Sequence, residues 1–201
     1  TPTINTEISG PVQISIDSGF YQSSITVELS SSSNPQQIYY TLDGSKPVSE
    51  SSIYSGPIVI ESTTVLKTRS IENGKLPGNI NSSSYFIYEN SHIPTISLMA
   101  APETLWDEEI GIYENEYKQR EIPITLYYFT EDSELGFTVN AGARLGGENI
   151  WTKPQKPFTI YTRNRFGNDF INYRLFENKH ISRFSRVVLR NGGDDWEETL
   201  I

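Results

Sequence analysis

The sequence has 201 residues, which is enough for one large domain or for two domains of about 100 residues each. With 36% hydrophobic and 12% aromatic residues it has the apolar material for real cores, and global disorder is not expected. No window approaches the roughly 20 consecutive apolar residues that a membrane-spanning helix needs, so we predict no membrane span.

Charge and composition exclude several classes of function. The 25 acidic and 16 basic residues give a net charge of -9, which argues against nucleic acid as a partner, since a basic face supplies most of that affinity. There is no Cys, and His92 and His180 are the only imidazoles, so zinc hydrolases and Ser-His-Asp chemistry have almost no material. We interpret both histidines as structural or exposed, and we expect no metal site in this chain.

The first half has the alternation of short strands. Apolar and polar residues alternate with a period of two, as expected where one face of a sheet is buried. The predicted strands are 12–16, 25–29, 38–41, 58–60, 65–71 and 84–88. Asp43-Gly44 and Asn73-Gly74 supply turn residues between them. This spacing predicts an immunoglobulin-like β-sandwich.

Four motifs in this half carry a resemblance to a known family. They are Gly19-Phe20-Tyr21, Ile38 to Pro47, Ser52 to Pro57 and Lys67 to Ser70. Together they resemble the chitobiase/β-hexosaminidase C-terminal-type module, a fibronectin-III-like sandwich, over residues 11–88, after an N-terminal segment at 1–10. The resemblance implies an accessory module without a catalytic carboxylate pair. Tyr39, Tyr40 and Tyr54 are then core or sheet-face residues, with a sugar-stacking platform as the alternative.

A second domain is predicted after a short polar linker at residues 89–92. It covers 93–201 and is again rich in strands. We predict strands at 96–99, 122–129, 136–145, 157–161 and 187–190, and a short helix or turn at 101–106. Residues 170–176 and 179–184 are ambiguous between helix and extended structure. The fold class is therefore mainly β: a sandwich followed by the sheet-rich part of an α+β domain.

Charge is unevenly divided along this second domain. Residues 103–134 carry ten acidic and two basic residues, whereas residues 135–190 carry three acidic and ten basic residues. The cationic stretch also contains a glycine-rich turn, from Asn140 to Asn149, followed by Lys153 and Lys156. Such a hairpin can hold backbone N–H groups and a Lys against phosphate oxygens, although glycines in a hairpin equally serve turn geometry alone.

Further motifs resemble the CotH family, which comprises spore-coat-protein-H-like secreted atypical protein kinases. They are Leu98, Pro102 to Asp107, Gly111-Ile112-Tyr113, Asn140 to Arg144 with Gly147, Pro154 to Phe158, Phe166-Gly167, Tyr173 to Phe176, and Val188 to Trp196. They occur in the family's order and spacing over residues 93–201. The resemblance implies a kinase-like domain that uses ATP with Mg or Mn.

The resemblance also implies nucleotide-binding residues. Arg144 and Lys156 fall on the family's phosphate-holding Arg and Lys, flanking the turn at Gly146 and Gly147. The sequence departs from the family at Gly146, where an Arg or His is usual, and at residues 148–150, where a small residue and serines are usual. A Glu at 148 would repel ATP unless a metal ion or a Lys offsets it.

Catalytic residues are left unassigned. Asp194 and Asp195 would serve as metal ligands or a base, or would cap a following helix, which is the role we favour. In the family, the metal-binding and catalytic acids lie farther along than this motif. The sequence is therefore interpreted as a fragment of a kinase-like protein, with no bound cofactor of its own.

The expected function follows from these resemblances. The parent protein would transfer phosphate from ATP to Ser or Thr of extracytoplasmic proteins, at the surface of or outside a bacterial cell, while the fragment itself would be inactive. The alternative is a non-catalytic scaffold that binds a cell-surface polysaccharide or matrix through the sandwich and carries a degenerate kinase-like domain.

Overall fold

The computed structural model describes residues 6–31, 37–146 and 155–190. The chain divides into two compact units, one of residues 1–99 with 129–135 and the other of residues 100–128 with 136–201. Strands dominate both units, as the sequence predicts. Across the described ranges, no helix has the length and apolar character needed to cross a membrane.

The described residues of the first unit form ten short strands. They are β1 (Val12–Ile14), β2 (Gly19–Tyr21), β3 (Ile25–Val27), β4 (Leu29–Ser31), β5 (Gln37–Thr41), β6 (Ser52–Ile53), β7 (Ile58–Ile60), β8 (Thr64–Ile71), β9 (Asn81–Ile87) and β10 (Thr95–Met99). The main sheet has the order β2-β9-β8-β5-β6, in which β2 runs parallel to β9 and the other pairs are antiparallel. Two smaller sheets pair β1 with β4 and β3 with β7.

The predicted strand at 25–29 is wrong as a single element. It divides at Glu28 into β3, which pairs with β7, and β4, which pairs with β1. At the break, Ser15 N donates to Glu28 O at 3.0 Å and Glu28 N donates to Ser15 Oγ at 2.8 Å. Because Val27 and Leu29 are both buried, the apolar alternation continues through the point where the chain changes partner.

The hydrophobic core of this unit draws on strands from all three sheets. Its buried members are Val12, Val27, Leu29, Ile58, Ile60, Leu66, Tyr85 and Ile87. Tyr39 is buried, and Tyr40 and Tyr54 pack against the cluster, in agreement with the core or sheet-face interpretation of these tyrosines. Apolar faces of several sheets meeting in one core give the predicted β-sandwich.

Glycines make the two predicted tight turns. Gly44 has φ +78° and Gly74 has φ +74°, a conformation that glycine adopts without the steric cost a side chain would add. Before Gly44, the Asp43 carboxylate accepts hydrogen bonds from Ser45 N at 2.9 Å and Ser45 Oγ at 2.6 Å. These bonds lower the pKa of Asp43 below its ordinary value of 3.8.

The second unit contains most of the remaining elements. Its helix is α1 (Pro102–Trp106), and its strands are β11 (Ile122–Phe129), β12 (Leu135–Leu145), β13 (Phe158–Tyr161), β14 (Ile171–Asn172), β15 (Arg183–Phe184) and β16 (Arg186–Leu189). Residues 129–135, around the turn between β11 and β12, belong to the first unit. Short 3-10 helices lie at Glu116–Lys118 and Asn164–Phe166.

The order β11-β12-β13-β16 runs through the sheet of this unit, with β13 antiparallel to both β12 and β16. The two segments that are ambiguous in the sequence are extended where they pair, since β14 and β15 form a small antiparallel ladder. On β12, Val139, Ala141, Ala143 and Leu145 are buried. This alternation turns Asn140 and Arg144 to the other face of the sheet.

Candidate functional site: an arginine-lined sheet face

The face of the sheet that carries Arg144 is defined by the register of three strands. Gly142 on β12 lies opposite Tyr161 on β13, and Tyr161 lies opposite Arg186 on β16. Two residues after Gly142 on β12, Arg144 lies opposite Thr159 on β13. Because directly opposed residues of antiparallel strands point to the same side, Arg144, Tyr161 and Arg186 share one face.

Tyr161 is the centre of this face. The guanidinium carbon of Arg144 lies 5.1 Å from the centre of the Tyr161 ring, and that of Arg163 lies 4.9 Å from it. Attraction of two cations to one ring orients both guanidinium groups. The Nε atom of Arg144 is buried and has no hydrogen-bond partner. This donor is therefore oriented by the ring and not by an acceptor.

Glu121 holds two further arginines. Its Oε1 atom lies 3.3 Å from Arg163 Nε and accepts a hydrogen bond from Arg165 Nη2 at 2.8 Å. The Glu121 side chain is 13% exposed, whereas both arginines are exposed. Gly142 makes room for this carboxylate, since a Cβ there would lie 2.8 Å from Glu121 Cγ and closer still to Glu121 Oε1 and Phe166 Cε2.

Lys156 has a separate ion pair. Its Nζ atom lies 2.7 Å from Glu116 Oε1, and the two side chains are only 9% and 17% exposed. Glu116 begins the first 3-10 helix. Nearby, Tyr113 packs edge-on against Phe158, and burial followed by the charge of Glu116 raises the pKa of Tyr113. The ion pair of Lys156 and Glu116 is thus largely buried and lies near the contact between Tyr113 and Phe158.

The predicted nucleotide-binding residues are placed as follows. Arg144 lies on β12, Gly146 follows that strand and donates its N–H to Pro157 O at 3.1 Å, and Lys156 lies two residues before β13. Gly147 lies outside the described residues, as do Lys153, Asp194 and Asp195.

The predicted hairpin is confirmed, because β12 and β13 pair antiparallel. Its two cations are held by different groups, Arg144 by Tyr161 and Lys156 by Glu116. A nucleotide-binding role for these residues remains a prediction.

Sequence reasoning missed the partners of these cations. Glu116 and Glu121 lie 40 or more residues from the cations that they hold, so no local spacing identifies them. The pair Tyr161 and Arg163, by contrast, has the period of two that places residues on one side of a strand. That signal was present in the sequence.

The first unit has its own polar grooves. One of about 430 Å³ is lined by Tyr40, Thr41, Leu42, Asp43, Glu50 and the serines that follow. His92, which is exposed, lines another of about 410 Å³, and His180 in the second unit is exposed as well. Within ranges 6–31, 37–146 and 155–190, no group of three or more His, Asp or Glu side chains is close enough together to hold a metal ion.

Residues 16–82 match the family model of the chitobiase/beta-hexosaminidase C-terminal domain. The matched segment runs from just before β2 to the start of β9. The predicted module is therefore confirmed for this third of the chain. The groove beside Tyr40 lies wholly within the chitobiase/beta-hexosaminidase C-terminal domain. No curated protein gives a significant match to the chain.

Proposed function

We propose that the chain joins an accessory chitobiase/hexosaminidase C-terminal-type sandwich to the N-terminal part of a CotH-like protein kinase domain. The intact protein would transfer the γ-phosphate of ATP to Ser or Thr of extracytoplasmic bacterial proteins. In this proposal Lys156 and Arg144 contact the phosphates, beside the glycine-rich stretch that contains Gly146 and Gly147.

The ion pair of Lys156 with Glu116 is the observation that carries this proposal. In protein kinases, a phosphate-binding Lys is held in place by an ion pair with a Glu elsewhere in the same lobe. The 2.7 Å contact and the low exposure of both side chains give Lys156 such a fixed position. A fixed ammonium group serves as a point charge for phosphate oxygens, with little ordering left to do when ligand arrives.

Arg144 would add a second positive group of different geometry. Its guanidinium lies against the Tyr161 ring. The planar guanidinium group suits phosphate oxygens as acceptors. Phosphoryl transfer depends mainly on positioning and charge neutralisation, which these two side chains can supply. Mg or Mn would neutralise phosphate charge further, but the described residues offer no ligand cluster for it.

The test is a titration of the isotope-labelled chain with ATP, followed by amide chemical shifts. We expect changes at the end of β12 and around Lys156, with an affinity near 1 mM, about -4 kcal/mol. Lys156→Gln should reduce these changes, whereas Lys179→Gln, which removes the same charge from an exposed site, should not. Absence of changes at 10 mM ATP, or changes that are the same in both variants, would contradict the proposal.

A second candidate function is favoured by the groove beside Tyr40. Its hydroxyl and carboxylate side chains can bind sugar hydroxyl groups, and Tyr40 offers part of its ring. The protein would then be a cell-surface scaffold that binds a polysaccharide. Sedimentation with insoluble polysaccharides tests this: retention that Asp43→Ala weakens supports it, and retention unchanged by that variant argues against it.

A further inference from the structure

We propose that the exposed arginine face of the second unit binds an extended acidic peptide segment of a partner protein. The arginine face consists of Arg144, Arg163, Arg165 and Arg186 around Tyr161. This inference goes beyond phosphate transfer and does not depend on it, because binding of a peptide by this face requires neither nucleotide nor Lys156.

The charge of the arginine face is unbalanced. Four guanidinium groups lie on or beside it, and Glu121, whose carboxylate contacts Arg163 and Arg165, offsets one positive charge. This concentration of positive charge lies in a chain of net charge -9. An acidic partner would therefore be attracted to this face and repelled by much of the remaining surface.

Three of the four arginines, Arg144, Arg163 and Arg165, are also oriented before any ligand binds. Glu121 holds Arg163 and Arg165, and the Tyr161 ring lies against Arg144 and Arg163. Side chains that are already ordered lose less entropy on binding. The planar guanidinium fork matches a carboxylate with two parallel hydrogen bonds, which a Lys cannot provide.

The spacing of the arginine face suits an extended chain. Neighbouring strands lie about 4.8 Å apart and side chains on one side of a strand repeat about every 6.7 Å, so the Cα atoms of Arg144 and Arg186 are about 12 Å apart. An extended peptide repeats its own side chains at the same 6.7 Å. Carboxylates four residues apart in such a peptide, about 13 Å from each other, can thus meet Arg144 and Arg186.

Exposure of the face favours a peptide over a compact ligand. Arg163, Arg165 and Arg186 are exposed, and Val188, on the same side of β16 as Arg186, is 52% exposed. Small ligands bind in concave sites that bury most of their surface. An extended segment instead covers an open sheet face and can pack apolar side chains against Val188.

The test is fluorescence anisotropy of the full chain with a labelled 12-residue peptide that alternates Glu with Val. A peptide with Gln in place of Glu is the control ligand. We expect the Glu peptide to bind at least tenfold more tightly at 50 mM salt and to weaken steeply at 300 mM, as contacts between exposed charges do. Equal binding of the two peptides would overturn the proposal.

Matched variants locate the site. Arg163→Gln with Arg186→Gln should weaken binding of the Glu peptide at least tenfold. Lys46→Gln with Lys179→Gln, an equal loss of charge at exposed positions that are not among the four arginines of the face, should change it less than twofold. Equal effects of the two double variants would show general charge attraction and overturn the proposal. Thermal unfolding checks that both double variants are folded. If Arg163→Gln with Arg186→Gln does not fold, Arg186→Gln alone is used in its place.

Competition identifies the ligand class. A sulfated polysaccharide or ATP that displaces the Glu peptide at a far lower concentration than the unlabelled peptide would assign the face to that ligand and overturn the peptide proposal. Lys156→Gln separates this inference from the kinase proposal. It should leave peptide binding unchanged while reducing the shifts caused by ATP, so either proposal can fail alone.

Discussion

Gly142 on β12 has no room for a side chain. An added Cβ would lie 2.8 Å from Glu121 Cγ and closer to Phe166 Cε2 and Glu121 Oε1. This close approach lets Glu121 reach both Arg163 and Arg165. The glycine-rich stretch is visible in the sequence, but what fills the space beside Gly142 is not, because Glu121 and Phe166 come from distant parts of the chain.

We predict that Gly142→Ala lowers the free energy of unfolding by about 1–3 kcal/mol, since the neighbouring side chains must shift. Gly56→Ala is the matched control, because a Cβ at Gly56 meets nothing within 4 Å. Urea unfolding of both variants measures the difference. An equal change in the free energy of unfolding of the two variants would show that there is room for a side chain at Gly142 and would contradict the prediction.

The Asp43 turn predicts a pH dependence. Hydrogen bonds from Ser45 lower the pKa of Asp43 in the folded protein below its ordinary value of 3.8. The ionised carboxylate therefore stabilises the fold at any pH above 3.8. That contribution is lost as the pH falls below 3.8 through the folded value. Ser45→Ala should shift the Asp43 titration, followed by carboxyl-carbon NMR, towards 3.8. An identical titration in the variant would contradict the assigned cause.

Among the elements, alternation of apolar residues predicted the strands well. The strands around Val65, Ile122 and Phe158 lie where the pattern of period two places them. Alternation could not show that the strand through Glu28 changes partner, because the pattern is the same on both sides of the break. The pairing of strands depends on distant residues, which a local pattern does not record.

The buried pair of Lys156 and Glu116 predicts a double-mutant result. Glu116→Ala should destabilise the protein by about 3 kcal/mol, because it removes a carboxylate that contacts the largely buried Lys156 ammonium group. Combining Glu116→Leu with Lys156→Met should restore most of that loss, since two apolar side chains replace the ion pair. Urea unfolding measures the cycle, and additive effects of the two single changes would mean that the pair is not coupled.

At the scale of the whole molecule, the sandwich has a core of its own. All eight buried residues of its cluster lie between Val12 and Ile87. We therefore predict that residues 11–88, expressed alone, unfold in a single cooperative urea transition. The sequence was sufficient for this prediction, because turns and alternation are complete within that segment. A broad, non-cooperative transition would show that the core needs residues from outside it.

The function of the whole molecule was harder to predict from the sequence than its fold. The basic stretch marked where an anion would bind, but the sequence could not show that Lys156 and Arg144 are held by different partners. Resemblance to the CotH family supplied both residues as candidates, and the ion pair of Lys156 supplied a physical reason for one of them. The metal-binding and catalytic acids that the resemblance implies stay unassigned.

The most direct test of the kinase proposal is phosphorus NMR of ATP with Mg and the 201-residue chain. We predict changes in the β- and γ-phosphate signals that Lys156→Gln removes, with no ADP formed, because phosphates would be held without a catalytic acid. Unchanged phosphate signals at millimolar protein would contradict phosphate binding by Lys156. Formation of ADP that Lys156→Gln abolishes would contradict the predicted inactivity and show a complete site within this chain.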